Sequence, residues 1–320
     1  IRALPRPRSA FVRVLESLTE AVGKTPLVRL ARIDADTPQV ERRAKCEFFN
    51  PGGSVKDRAA LRMLTDAMRE GRLKPGMTII EATSGNTGIA YAMLGAALGL
   101  KVALVMPTNV SSARKRITKA LGCEIIFSDP LEQSDGAIRL VRKLVEDEPG
   151  RYFYPDQYSN PGNPAAHFDG TGAEIWMQTQ GRVTHFVAGI GTGGTVMGVG
   201  ARLKKENPHV QICAVEPAEA LHGLEGLKHM PSSIVPAIYD ASKQDRKLSI
   251  PTQAGWDMTL RLAKEEGLFV GHSGGAAVQG ALEVAREISG RGESGVVVTV
   301  LPDRGDRYFE PIRWDEKSPW

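Results

Sequence analysis

The chain has little cysteine and no long hydrophobic run, and both absences narrow its class. It contains only three cysteines in 320 residues, Cys46, Cys123 and Cys213, and their spacing matches no metal-binding motif. An odd number of thiols within apolar segments indicates reduced, buried cysteines and a reducing compartment, so we expect a cytoplasmic protein without a metal site. No apolar run approaches the roughly 20 residues of a membrane-spanning helix, and we expect no membrane attachment.

A large excess of either charge is missing as well. The formal net charge is only +4, which is too small and too evenly spread to argue for a nucleic-acid partner. One basic cluster, Arg114–Arg116 with Lys119, is interpreted as the solvated face of a helix. The arginine-rich N-terminus, with no acid before Glu16, faintly resembles the end of an organellar transit peptide. We interpret residues 1–9 as a disordered or docking tail instead.

From about residue 77 onwards, short β-rich runs alternate with helical patterns. The runs include TIIEA, KVALVMP, CEIIF, HFVAGI, VQICAVE, LFVGH and GVVVTVLP. Such alternation predicts βαβ units and parallel sheets, hence an α/β fold class. Residues 157–174 interrupt the alternation with a stretch dense in asparagine, proline and glycine, which predicts loop and hinge material between two α/β blocks.

A lysine stands at the start of a predicted helix in FFNPGGSVKDRAA, residues 48–60. Apolar residues recur at helical spacing until Gly71, so Ser54 is predicted to cap this helix with Asp57 as its capping-box partner. Lys56 then falls in the first turn, where the helix dipole disfavours a cation by roughly 0.3 to 1 kcal/mol. A destabilised ammonium suits a base or an amine that forms a Schiff base, although a solvated lysine is the commoner meaning of Ser-x-Lys.

Three glycine-rich loops follow predicted strands: EATSGNTGIA after TII, AGIGTGGTVMG after HFV and GHSGGAAV after LFV. In open α/β sheets, ligands bind beyond the carboxyl ends of the strands. We therefore expect Thr83–Gly88, Gly191–Thr195 and Ser273 at such ends, where backbone N–H groups and hydroxyls bind carboxylates or phosphates. Each loop alone is weak evidence, because glycine is common at strand-to-helix turns for steric reasons.

The second of these loops also fits a dinucleotide-binding fingerprint. Gly189–Gly194 matches G-x-G-x-x-G, and Glu216 follows about 20 residues later, where a ribose-binding acid should stand. This window alone predicts an NAD-dependent dehydrogenase. It leaves Lys56 and the TSGNTG loop without a role, however, and a loop that binds one phosphate monoester at a helix N-terminus needs the same glycines.

Pyridoxal 5'-phosphate would use the lysine and all three loops, because it carries one phosphate and an aldehyde that bonds to an amine. The stretches PGGSVKDRAA, EATSGNTGIA, GIGTGGT, QYSNPGNP, VGHSGGAAV and DRGDRY together resemble the cysteine synthase (O-acetylserine sulfhydrylase) branch of the fold type II pyridoxal-phosphate enzymes. The resemblance extends from about Val22 to Tyr308 and is closer to the B-type enzymes in LKHMPSSIVPAIYD and DRGDRY.

The resemblance implies a two-domain α/β fold, with parallel or mixed sheets flanked by helices and an active site between the domains. The implied smaller, mobile domain comprises residues 45–167. The implied larger domain, which holds the cofactor, is discontinuous and comprises residues 10–44 and 168–316.

The resemblance also implies a role for each site residue. Lys56 would form the Schiff base and later remove the substrate's α-proton. Asn86 would hydrogen-bond the cofactor's phenolic oxygen, and Ser273 would face the pyridine nitrogen. The implied phosphate cradle comprises Gly191, Thr192, Gly193, Gly194 and Thr195. The implied substrate-carboxylate site comprises Thr83, Ser84, Gly85, Thr87 and Gln157.

The implied reaction is a β-replacement. O-acetylserine or O-phosphoserine would lose its β-substituent to give a bound α-aminoacrylate, and a sulfur donor would add to form L-cysteine or S-sulfocysteine. Because members of this family are usually homodimers, we expect a homodimer with small-molecule substrates.

Several positions depart from the family pattern. Gly274 stands where many relatives have a second serine, and His272 replaces an aliphatic residue and is expected to be packed near the site. Pro302 occupies a position that B-type enzymes often fill with cysteine, which puts thiosulfate as donor in doubt. Lys228 and His229 suit either a phosphorylated or sulfonated co-substrate or a mobile surface loop.

Other functions stay open on the sequence alone. Cystathionine β-synthase and 2,3-diaminopropionate synthase are β-replacement enzymes of the same fold. An NAD-dependent dehydrogenase would need no Schiff base, so Lys56→Ala would leave its cofactor binding intact. A non-catalytic binding protein could keep the fold, but the intact lysine and loops argue against it.

Overall fold

The computed structural model describes residues 14–33, 36–83, 85–110 and 112–308. The strands are β1 Leu27–Arg29, β2 Val40–Cys46, β3 Thr78–Ala82, β4 Lys101–Pro107, β5 Glu124–Ser128, β6 Tyr152–Phe153, β7 His185–Gly189, β8 Gln211–Pro217, β9 Arg246–Ile250 and β10 Gly295–Leu301. The helices are α1 Lys56–Arg69, α2 Asn86–Leu98, α3 Ser112–Ala120, α4 Gln133–Asp147, α5 Gly162–Ala166, α6 Ala173–Gln178, α7 Gly194–Glu206, α8 Thr252–Arg261 and α9 His272–Gly290. Single π-helical turns extend α5 over His167–Gly172 and α8 over Leu262–Glu266.

The strands form two sheets. The four-stranded sheet has the order β5-β4-β3-β6 and is parallel throughout. The six-stranded sheet has the order β1-β2-β10-β7-β8-β9, and only its edge pair β1 and β2 is antiparallel. The α/β class with parallel and mixed sheets is confirmed. The sheets use separate parts of the chain, as expected for two α/β blocks, while the exact domain limits stay a prediction.

Each sheet buries both faces under helices, which is why the strands are almost continuously apolar. On the small sheet, α1 and α2 cover one face and α4 covers the other, where Val141 packs near Ile80. On the large sheet, α7 covers the face that carries Phe186, and α9 covers the face that carries Val187. The parallel strands consequently direct their carboxyl ends toward a shared region, as the sequence predicted.

Most predicted elements are confirmed, but two predictions are wrong. LFVGH forms no strand, because Val270 makes only an isolated bridge to Arg304 before Gly271 begins the approach to α9. The predicted loop over residues 157–174 is largely helical. Asn160 starts this helical stretch, since its side-chain oxygen accepts the Gly162 N–H at 2.9 Å, and its prolines stand at positions where a helix tolerates them.

The three cysteines are free and buried, and burial raises the pKa of each thiol. The prediction of buried thiols is confirmed, and a raised pKa makes a thiol less reactive. Among the described residues, no helix is long and apolar enough to cross a membrane. The same part of the chain holds no group of three or more His, Cys, Asp or Glu side chains arranged to bind a metal ion.

A buried ionic network joins β2, α1 and α6 behind the lysine helix. The Arg58 guanidinium donates to Glu47 Oε2 at 2.7 Å and to Glu174 Oε1 at 2.7 Å, and Lys45 Nζ donates to Glu174 Oε2 at 2.6 Å. Burial alone would raise the pKa of Glu47, but Arg58, Thr25 and Lys45 together outweigh it and lower that pKa. Similarly, Arg58 and Lys45 outweigh burial at Glu174 and lower its pKa to about 2.

Replacing Arg58 with methionine should therefore destabilise the protein strongly. The Arg58→Met variant leaves the fully buried Glu47 carboxylate without its cation, which costs about 3 to 5 kcal/mol. We expect a large decrease in the urea midpoint of unfolding. The matched control is Arg69→Ala on the same helix, whose pair with Asp66 is exposed and contributes about 1 kcal/mol or less. Equal effects of the two variants would contradict a structural role for the network.

Candidate active site

One pocket collects most of the predicted site residues. It opens where the ends of β7 and β10 meet the first turns of α1, α2 and α9. Its lining comprises Val55, Lys56, Asn86, Gly189, Gly191, Thr192, Gly193, Thr195, Glu225, Gly226, Leu227, Ser273, Pro302, Asp303 and Tyr308. The lysine, the glycine-rich loop and the serine, far apart in the chain, are thus brought together as predicted from the strand ends.

Lys56 is the first residue of α1, as the sequence predicts, but the predicted capping box is wrong, because Val55 and not Ser54 is the N-cap residue. Ser54 Oγ accepts the Lys56 backbone N–H at 3.3 Å, whereas the Asp57 carboxylate accepts the N–H of Gly52 at 2.6 Å. Burial lowers the pKa of the Lys56 amine, and the nearby Asp303 carboxylate only partly opposes this. Within the described ranges, the ammonium has no hydrogen-bond or ion-pair partner. The predicted role of Lys56 as a base or Schiff-base amine stays a prediction.

The loop between β7 and α7 is shaped by glycine. Gly193 has a φ of +88°, a left-handed conformation that strains other residues. A Cβ on Gly191 would lie 2.3 Å from the Gly226 carbonyl oxygen, and one on Gly194 would lie 2.0 Å from Asn163 Oδ1. These glycines therefore allow the loop to pack closely against Gly226 and Asn163, and the loop leads directly into the N-terminus of α7. This is the geometry that binds phosphate.

Ser273 lies in the first turn of α9, not at a strand end as predicted, because no strand precedes it. Its side chain is buried, and among the described residues its hydroxyl has no hydrogen-bond partner. The neighbouring His272 ring stacks on Trp256 at 4.3 Å and packs against Tyr308 at 5.3 Å. The expectation that His272 is packed near the site is confirmed.

The loop after β3 lies beside the pocket. Thr83 Oγ1 accepts the N–H of Gly85 at 3.2 Å, and the Thr87 hydroxyl donates to Gln157 Oε1 at 2.8 Å. Thr87 and Gln157 are buried and do not line the pocket wall. Ser84 lies outside the described residues. The assignment of these five residues to a substrate carboxylate stays a prediction.

A buried acid beneath this loop escaped the sequence analysis. Glu81, at the end of β3, accepts the N–H of Ala82 at 3.1 Å and the N–H of Gln157 at 3.4 Å. Burial, together with the nearby Asp156, raises the pKa of Glu81 to about 8. The raised pKa favours the protonated, uncharged form of Glu81.

The motif DRGDRY contributes side chains to the pocket that the sequence did not predict there. Asp303 and Tyr308 line the pocket, and Asp303 accepts a hydrogen bond from Asn86 at 2.5 Å. The motif was part of the pattern that suggested the family, but the spacing gave no signal that its side chains turn back into the site.

Two basic features lie near the entrance. Arg114 was predicted on a solvated helix face, but it pairs with Glu225 and lies 5.6 Å from the centre of the Tyr308 ring. Lys228 is half-buried over the ring of Tyr158 at 5.3 Å, and burial lowers its pKa. Lys228 therefore packs against the protein.

The acid that suggested a dinucleotide site has other partners. Glu216 is buried, pairs with Lys247 at 2.8 Å and accepts the N–H of Met230 at 3.3 Å. The glycine-rich loop, the Lys56 amine and the buried Ser273 hydroxyl instead suit the phosphate, aldehyde and ring nitrogen of pyridoxal phosphate. The residues present fit that cofactor.

The comparisons with known proteins agree with this geometry. The family model described as "Pyridoxal-phosphate dependent enzyme" matches residues 18–303. The chain belongs to this family, and it is an enzyme whose cofactor is pyridoxal phosphate. The dehydrogenase alternative is not supported.

Relatives narrow the class further. The chain is 53% identical to "Cysteine synthase" of Aquifex aeolicus, over 96% of this chain and 95% of the relative. It is 44% identical to "Cysteine synthase B" of Pseudomonas aeruginosa, over 94% and 98%. A crystal structure of cysteine synthase from Entamoeba histolytica superposes with a TM-score of 0.92 at 36% identity, covering 99% of this chain and 96% of that one. The resemblance to the cysteine synthases is confirmed.

A methyl group in the cradle should impair cofactor binding. In Gly191→Ala, the new Cβ would collide with the Gly226 carbonyl, and a loop shift that relieves the clash moves the N–H groups away from the phosphate. Losing a hydrogen bond to a charged group costs about 1.5 to 3 kcal/mol, so we expect the dissociation constant for pyridoxal phosphate to rise about 10- to 150-fold in a fluorescence titration. Gly290→Ala, where nothing lies within 4 Å, is the control. Unchanged affinity of Gly191→Ala would contradict the cradle.

Proposed function

We propose that this enzyme catalyses a β-replacement that forms L-cysteine, or S-sulfocysteine, from O-acetylserine or O-phosphoserine and a sulfur donor. The observation that carries the proposal is the meeting of three features in one pocket of a chain related to cysteine synthases. They are Lys56, whose amine has no partner among the described residues, the glycine-rich loop, and the buried Ser273 hydroxyl. Cystathionine β-synthase and diaminopropionate synthase chemistry have no comparable support among the relatives described above.

Lys56 is proposed to hold the cofactor and to accept the substrate's α-proton. Burial favours the neutral form of an amine, and the first turn of a helix does the same. A neutral amine can accept a proton, whereas an ammonium cannot. The lowered pKa therefore extends the range of pH in which Lys56 Nζ is competent as a base.

Ser273 is proposed to hydrogen-bond the cofactor's ring nitrogen. When bound, pyridoxal phosphate withdraws electrons from the substrate's α-carbon. A neutral hydroxyl, unlike a carboxylate, does not favour protonation of the ring. The charge that develops is then less delocalised into the ring, which favours loss of the β-substituent over transamination.

Substrate binding is proposed to use the N-terminus of α2. The loop Thr83–Thr87 and Gln157 would bind the substrate carboxylate through hydroxyls and backbone N–H groups. The Thr87 to Gln157 hydrogen bond fixes these two side chains relative to each other. Because the raised pKa of Glu81 favours its uncharged form, this side chain does not offset the positive N-terminal end of the α2 dipole.

A spectroscopic titration tests the reaction and distinguishes the substrates. We expect O-acetylserine or O-phosphoserine to change the visible absorption of the cofactor-loaded enzyme, and sulfide to reverse the change while cysteine forms. Amino-acid analysis measures the product. A cofactor-loaded enzyme whose spectrum responds to neither serine derivative would contradict the proposal.

Lys56→Ala is the matched variant for this titration. Removing a general base lowers rates about 10²- to 10⁴-fold, and this variant should also lose the covalent attachment of the cofactor. Borohydride reduction and peptide mass spectrometry would then find the pyridoxyl group on Lys56 in the wild type and on no peptide of the variant. A label on another lysine in the wild type would contradict the role of Lys56.

The enzyme is further proposed to be a cytoplasmic homodimer with a smaller mobile domain over residues 45–167. Its free thiols support a reducing compartment. Exposed apolar side chains such as Leu221, Ile234 and Val235 support a partner surface. Sedimentation equilibrium should give twice the mass of one chain at micromolar concentration. A single-chain mass under those conditions would exclude a stable dimer.

A further inference from the structure

The orientation of the Asn86 side chain decides what it can offer to a ligand. An amide has a carbonyl oxygen that accepts hydrogen bonds and an NH₂ group that donates them, and the two ends have nearly the same shape. Asn86 is the first residue of α2 and lines the pocket. To donate to the cofactor's phenolic oxygen, it must present an N–H and keep it there.

Two charged side chains, Asp303 and Arg307, fix the orientation of the Asn86 amide. Asn86 Nδ2 donates to Asp303 Oδ2 at 2.5 Å, and Asn86 Oδ1 accepts from the Arg307 guanidinium. A flipped amide would place its oxygen against the carboxylate and its NH₂ against the guanidinium, and both contacts would be repulsive. One N–H of Asn86 stays available to the pocket.

Asp303 is itself held rigidly. It is 1% exposed, and the Tyr308 hydroxyl donates to the same oxygen that accepts from Asn86. Its backbone bridges Ser54, two residues before Lys56, and its carbonyl accepts the N–H of Gly271 at 3.2 Å. The carboxylate is therefore fixed between the turn that carries the lysine and the turn that leads to Ser273.

Arg307 is held in a similar way, since its guanidinium also donates to the carbonyl oxygen of Gly52. A Cβ on Gly53, where φ is +78°, would lie 2.5 Å from Arg307 Nη2. The arginine thus fits closely over the glycine pair that precedes α1, and little space exists for another position.

We propose that Asp303 and Arg307 are positioning residues that hold the Asn86 amide with an N–H directed at the cofactor. This inference rests on the proposed function, because it assumes that Asn86 contacts the cofactor. It assigns to the DRGDRY segment a role in orienting Asn86 toward the cofactor, which is separate from any role in binding the sulfur donor.

The test compares Asp303→Ala with Asp303→Asn. The alanine variant loses the acceptor, so Asn86 is free to rotate, and we expect pyridoxal phosphate affinity of the apoenzyme to fall about 10- to 100-fold, with a shifted visible absorption maximum. The asparagine variant keeps an oxygen that can accept from Asn86, and it should restore most of the affinity. If Asp303→Asn is as impaired as Asp303→Ala, the carboxylate acts through its charge on Lys56, and the proposal is wrong.

A double-mutant cycle with Asn86→Ala provides the second readout. If Asp303 acts through Asn86, Asp303→Ala should weaken cofactor binding little further in the Asn86→Ala background. Independent, additive losses would overturn the proposal. Arg304→Ala, in the same segment, is the control because its exposed side chain pairs with Asp306. Urea midpoints of unfolding distinguish a misfolded variant from one in which only Asn86 is misplaced. A wild-type chain that binds no pyridoxal phosphate would instead refute the proposed function.

Discussion

The pocket exists because parallel strands end at the same place. β10 pairs in parallel with β2 on one side and β7 on the other, so the segments that follow these three strands must leave the sheet together. They carry Lys56, Gly191–Thr195 and Asp303. The smaller sheet adds Asn86 after β3. Lys56, Gly191–Thr195 and Asp303 thus converge because their strands pair with one another, whereas Asn86 and Ser273 reach the pocket on α2 and α9.

The cations on the two sides of α1 differ in whether they have ion-pair partners. Behind the helix, Arg58 and Lys45 are paired with carboxylates, and the network contributes to holding β2, α1 and α6 together. At the front, Lys56 has no such partner among the described residues, and its ammonium is disfavoured. The paired cations support the scaffold, whereas Lys56 has the chemistry that the proposed function requires of it. The contrast is consistent with strain confined to a functional site.

Much of this architecture could be predicted from the sequence. Short apolar runs bounded by turn residues, alternating with longer helical patterns, predicted β3, β4 and α7 closely, because strands buried on both faces are short and rich in β-branched residues. LFVGH failed because an apolar run before a glycine looks the same whether or not a strand partner exists. Residues 157–174 failed because Asn, Pro and Gly start helices as well as end them.

The site was predictable where it depends on local backbone chemistry and not where it depends on distant contacts. Gly191–Thr195 and Lys56 could be recognised in the sequence, because each stands at a turn that leads into a predicted helix. The amide of Asn86 does not reveal its partners, since Asp303 and Arg307 lie more than 200 residues away. In the sequence, Glu81 resembles an ordinary strand residue. Only the structure shows that it is buried and that it accepts hydrogen bonds from the backbone N–H groups of Ala82 and Gln157.

The close approach of Gly191 to Gly226 links two parts of the pocket that sequence comparison would treat as separate. Gly226 belongs to the segment whose neighbouring residue, Glu225, pairs with Arg114 at the entrance. A lineage that deepens or widens the phosphate cradle must move this segment, and the entrance pair moves with it. Because the two loops are in contact, substitutions in one loop should be accompanied by substitutions in the other among relatives.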